Sequence, residues 1–207
     1  MTLTQIKEQI KHFGSKKLSY MKDYITKKEE LTKKVSGLQM YQSEADQRLA
    51  DYKLEVENYS RQTTDKLHAD IEAAYEKELA ALRAMEEGVT ADDVAELTLL
   101  EGMTITGSDL EGYYEKYKHK PLAIKKLGQI VNKKVMEDPS VAIGFTPLDL
   151  VEELQNLVQT FKRDVNYIHG GFLLADDPVT LAQAEMVQYG TEKNLDRRLA
   201  DYLENRK

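Results

Sequence analysis

The 207 residues carry a formal net charge of −7, are 31% charged and 8% aromatic, and include no cysteine and no tryptophan. The absence of cysteine excludes disulfides and thiolate metal or redox centres. No run of about 18 apolar residues is present to span a bilayer, and Met1–Phe13 lacks the apolar stretch of a secretory signal, so a soluble chain, cytoplasmic at synthesis, is expected.

Charge is laid out in blocks. Residues 1–34 hold nine lysines against four acids, residues 35–115 six bases against nineteen acids, residues 116–134 seven lysines and no acid, and residues 135–207 seven bases against thirteen acids. Blocks of alternating sign favour electrostatic contact between segments or between copies of the chain.

In chain order, Leu3, Ile6, Ile10 and Phe13 form the apolar face of a short first helix over residues 1–13, and Gly14-Ser15 reads as a glycine stop followed by a new N-cap. Residues 15–87 are then expected to form one long amphipathic helix, rich in Ala, Glu, Lys, Leu and Gln and free of proline. Its apolar positions from Val35 through Leu38, Gln42, Ala45, Leu49, Tyr52, Val56 and Tyr59 to Thr63 step by about 3.5 residues, the heptad period. From Leu67 through Ile71, Tyr75, Leu79 and Leu82 to Met85 the step lengthens to about 3.67, the eleven-residue type. Ser36-Gly37 offers a place for a hairpin, but the 3-4 spacing runs through it and favours an unbroken helix of roughly 70 residues, about 105 Å long. Val35, Leu38, Leu49, Tyr52, Val56, Tyr59, Leu67 and Ile71 are the residues expected to form a partner or oligomer seam. Gln42, Thr63 and the small Ala45 weaken that seam, so association is expected to need the rest of the protein or a partner.

Residues 88–207 break into shorter helices. Thr90 with Asp93 resembles a capping box opening a helix over 91–101 that ends at Gly102. Met103–Gly107 is the one plausible strand, and Ser108 with Glu111 the capping box of a helix to about Lys118. Pro121 starts a helix ending before Asp138-Pro139, and Thr146-Pro147 with Asp149 starts another. The latter carries Leu148, Val151, Leu154, Leu157, Val158, Phe161 and Val165 on one face and closes at Gly170-Gly171. Asp176-Asp177 before Pro178 opens a helix to Tyr189, and Thr191 a last one with Leu195, Leu199, Tyr202 and Leu203. The fold class is therefore all-α: a long amphipathic, partly coiled-coil helix followed by a small multi-helix bundle.

No residues form a trustworthy catalytic, cofactor or metal motif. His68, Glu72 and Glu76 share a helix face without a second metal motif, His12, His119 and His169 accompany no triad-like arrangement, and Gly170-Gly171 follows a helix rather than a strand. A non-enzymatic protein without a cofactor is expected. Tyr113, Tyr114 and Tyr117 beside Lys116, Lys118, Lys120, Lys125, Lys126, Lys133 and Lys134 form a basic patch with three readings open: a solvated face, a dock for the acidic 35–115 segment of another subunit or for a partner, and a nucleic-acid surface. The acids of 35–115 alternate with bases, which argues against a continuous phosphate mimic. The lysine-rich residues 1–34, with Ile6, Ile10, Phe13, Leu18 and Met21, present too narrow an apolar face for membrane binding and suit a partner helix better.

A long charged helix without cysteine or tryptophan ahead of a small helical domain resembles in style the scaffolding, head-interior and neck proteins of bacteriophages. The likeness implies a homo-oligomeric part of a larger assembly, carried in a viral particle. A regulatory binder of nucleic acid, or of an enzyme acting on it, is the alternative.

Overall fold

The computed structural model describes residues 1–137, 149–171 and 177–206. The described residues form seven α-helices and no strand: α1 Leu3–Ser36, α2 Gln42–Met85, α3 Ala91–Gly102, α4 Gly107–Tyr117, α5 Pro121–Glu137, α6 Leu150–Gly171 and α7 Pro178–Asn205. No helix among them is long and apolar enough to cross a membrane.

The expected break at Gly14-Ser15 is absent, and the expected continuity at Ser36-Gly37 is broken. Thr2 caps α1, accepting from the Gln5 amide at 3.2 Å while the Gln5 side chain accepts from the Thr2 amide at 2.9 Å. The buried stripe Leu3, Ile6, Ile10, Phe13, Gly14, Lys17, Met21, Tyr24 and Leu31 then runs straight through Gly14. That glycine is a point of close approach: a Cβ there would lie 1.9 Å from Gln188 Oε1 of α7. The helix ends instead in a Schellman motif, with Gln39 N–H donating to Lys34 O at 2.9 Å and Leu38 N–H to Val35 O at 3.0 Å. The left-handed residue of this motif is Leu38, with φ 55°, one position past Gly37. A non-glycine residue in that conformation costs about 1 kcal/mol or more.

The turn folds α2 back along α1. Phe13 meets Tyr59, Tyr20 meets Tyr59 and Tyr52, and Tyr24 stacks on Tyr52, with ring centroids 5.2–6.3 Å apart. Partner numbers in α2 fall as those in α1 rise, which makes the pair antiparallel. Lys27 lies 5.0 Å from the Tyr52 ring and Lys53 lies 5.1 Å from that of Tyr24, flanking the ladder with cations.

Packing groups the chain differently from a cut at residue 88. One compact unit comprises Met1–Glu76 and Leu157–Glu204, and the other Lys77–Asn156 with Asn205–Lys207. In the first unit α7 runs antiparallel to α1, tied by Lys7 and Lys11 to Asp196, each at 2.7 Å, and by Lys22 to Glu185 at 2.7 Å. There α6 lies against α2 through Lys162 with Glu72 and His68 with Asn166. Helix α7 is continuous through Gly190-Thr191, where two helices were expected, because Gln188, Leu195, Leu199 and Tyr202 keep one buried face across the glycine.

The second unit is built on Leu97, Leu100, Ile105, Leu110, Tyr114, Tyr117, Ala123, Ile124, Leu127, Ile130 and Val131. The Thr90–Asp93 capping box and the Pro121 helix start are present as expected. The expected strand Met103–Gly107 is instead a link up to Thr106, in which Ile105 is buried and Thr106 caps α4, so the capping box is Thr106 with Asp109 rather than Ser108 with Glu111. Asp149 caps α6, accepting from Val151 N–H at 2.9 Å, and Leu150 rather than Val151 is buried in its first turn. Asp177 caps α7 through Val179 and Thr180. Asp138-Pro139, Thr146-Pro147, Leu148 and Asp176 lie outside the described residues.

Gly14→Ala separates propensity from packing. Helix propensity alone favours alanine by about 1 kcal/mol. The Gln188 amide in its way leads us to expect a loss of about 1–2 kcal/mol in urea denaturation, largely recovered by adding Gln188→Ala.

Candidate functional site

The seam residues read from the sequence divide by environment. Val56, Leu67 and Ile71 are buried, Val35, Leu49, Tyr52 and Tyr59 are half-buried, and Leu38 is 94% exposed at the turn. Tyr52 and Tyr59 have neighbours within their own chain, on α1. Enclosure between the two helices pushes the Tyr52 hydroxyl up to about 12, with Asp23 adding to the effect.

The basic patch is met by acids of α3. Lys116 pairs with Glu96, Lys120 with Asp93 at 2.8 Å, and Lys126 with Glu101, while Lys118, just past the end of α4, pairs with Glu115 of that helix at 2.7 Å. Lys133 lies 4.0 Å from Glu137. Lys125 is exposed and Lys134 half-buried, and neither lies within ion-pair distance of a described carboxylate. Of the three tyrosines, Tyr114 and Tyr117 are buried, Tyr117 donating to Glu96 at 2.6 Å, and Tyr113 stacks on Tyr117. These rings serve the core of the unit rather than standing free for bases.

Asp93 is the pivot of this arrangement. Its carboxylate accepts from Lys120 Nζ and from the amide and hydroxyl of Thr90, all at 2.8 Å, and is itself 4% exposed. The lysine and the cap together hold its pKa down to about 2.

Other polar groups are drawn into packing. The His68 ring contacts Asn166 Oδ1 at 2.8 Å and Glu72 takes Lys162, so the face that suggested a metal is engaged by α6. Among the described residues no three His, Asp or Glu groups converge on a metal position. The His119 carbonyl accepts from the Glu87 amide at 2.7 Å, His12 is exposed, and Gly170-Gly171 forms the last turn of α6.

Two buried polar groups were not anticipated. Lys17, 6% exposed, donates to Ser60 Oγ at 3.3 Å and to the His169 carbonyl at 3.5 Å, and Ser60 Oγ lies 2.9 Å from His169 Nδ1. Burial lowers the Lys17 pKa, partly opposed by Glu57. Ser60 is 2% exposed, and the trio joins α1, α2 and α6. The signal was legible: Lys17 falls on the apolar stripe between Phe13 and Met21. The second group is Asp164, whose Oδ1 takes Arg163 at 3.2 Å and whose buried Oδ2 accepts from no described residue. It lines an open cleft of about 340 Å³ between α6 and α7, and burial raises its pKa.

Because the Asp93 pKa lies below its usual value near 3.9, the stabilisation it carries is complete above about pH 4 and lost as pH falls towards 2. We expect Asp93→Asn to flatten the fall in urea-denaturation midpoint across that window. An unchanged acid profile would contradict the role given to the Asp93–Lys120 pair. No protein-family model, no curated protein and no solved structure matches this chain.

Proposed function

We propose that the chain is a non-enzymatic structural or assembly protein that self-associates and docks into a larger complex through its helices. Its style fits a phage scaffolding, head-interior or neck component, made inside the cell and incorporated in a particle. One observation carries this reading: the α1–α2 turn sets an apolar tip in solvent, with Leu38 94% and Tyr41 83% exposed. The backbone of Leu38 is left-handed, where glycine would sit at no cost. The Leu38 backbone closes the turn, but its side chain is left out of the packing, and an apolar side chain held in solvent on a strained backbone marks a point of interaction.

The nucleic-acid alternative draws on less. Lys116, Lys118, Lys120 and Lys126 already face carboxylates of their own chain, and neutralised lysines release few counterions on meeting phosphate. Its basic surface is reduced mainly to Lys125, Lys133 and Lys134.

Sedimentation velocity from micromolar to high micromolar concentration tests the reading. We expect species heavier than the 23.7 kDa chain, growing with concentration. A single monomeric species throughout, with salt-sensitive retardation of duplex or single-stranded DNA, would favour the alternative.

A further inference from the structure

Helix α7 buries Ala184, Gln188, Leu195, Leu199 and Tyr202 on one side. The opposite side bears a second stripe, Val179, Ala182, Met186, Tyr189, Lys193, Asp196, Ala200 and Leu203, stepping alternately by three and four residues. Val179 is 67% exposed, Met186 76%, Tyr189 60% and Leu203 36%, and both alanines are exposed. Six of the eight positions are apolar, at the heptad spacing that a helix presents to another helix in a left-handed pair. Gly190, beside the stripe, has open space where a Cβ would stand.

The order of residues identifies the partner helix. About a midpoint between Tyr189 and Lys193 the stripe complements its own reverse: Val179 is matched by Leu203, Ala182 by Ala200, and Tyr189 by Lys193. The last pairing already occurs within the helix, where Lys193 Nζ sits 4.5 Å from the Tyr189 ring. The matched alanines permit close approach. Met186 faces Asp196, the one poor match, and Asp196 is turned to Lys7 and Lys11 of α1.

On the reading of the chain as a self-associating part, we propose that the outward face of α7 is a homodimer interface, two copies packing antiparallel about that midpoint. The stripe is about 36 Å long and about 10 Å wide, below the roughly 800 Å² per partner of a stable dimer. The contact is therefore reversible and concentration-dependent, as suits a subunit that assembles.

The test combines sedimentation velocity with directed cross-linking, using the native chain's lack of cysteine. Met186→Glu with Tyr189→Glu, both at exposed positions, should keep the far-ultraviolet circular dichroism of the native chain and weaken self-association at least about tenfold. Under mild oxidation an equimolar mixture of Ala182→Cys and Ala200→Cys chains should form the mixed disulfide dimer. Either variant alone should not, because like positions lie about 27 Å apart along the antiparallel pair. Native chain that associates while the double variant associates equally well, with no mixed disulfide, overturns this interface and leaves self-association standing. Native chain that stays monomeric overturns both.

Discussion

The turn at residues 37–41 is the constraint on which the first unit depends. Two amphipathic helices of 34 and 44 residues would each leave an apolar stripe in water if they continued as one rod. Folding back lets Phe13, Tyr20 and Tyr24 find Tyr52 and Tyr59, and the aromatic area removed from water is repeated along the hairpin. Against that gain the left-handed Leu38 is a small local cost. Once the hairpin closes, its flanks accept α6 and α7, and the buried ammonium of Lys17 acquires Ser60 of α2 and the carbonyl of His169 in α6.

Electrostatics follows the same economy in the second unit. Lys116, Lys120 and Lys126 and the acids of α3 form complementary faces within one chain, and Asp93 serves both as the reciprocal cap of Thr90 and as the partner of Lys120. Part of a charge block that appears in the sequence as a candidate external surface is thereby satisfied at short range. Large apolar side chains also face outward, at the hairpin tip and along the heptad-spaced side of α7.

Local signals in the sequence proved reliable where one or two residues decide the outcome. The Thr90 and Asp177 caps satisfy amides within their own turn, and Pro121 removes a donor that would have had no partner, so no distant neighbour is needed to read them. Errors arose where tertiary contact outweighs local preference. Gly14 and Gly190 resemble helix stops, yet each lies inside a helix whose buried stripe continues on both sides. Gly37 passes as tolerable within a helix because the 3-4 spacing crosses it, but a period cannot distinguish one helix from two that share a register. The seam was legible as an apolar stripe, but periodicity does not say whether its partner is another copy or the preceding helix. Gly190, as an apparent stop, cuts the continuous heptad series of α7 in two and hides its outward stripe in the sequence.

The central claim is the reversal of the chain between α1 and α2, and pulsed electron paramagnetic resonance measures it directly. Spin labels at Ser15→Cys and Gln62→Cys occupy exposed positions in a chain with no other cysteine. The hairpin predicts a label separation near 20 Å, about two helix diameters. A separation near 70 Å, the span of one uninterrupted helix between those residues, would contradict it.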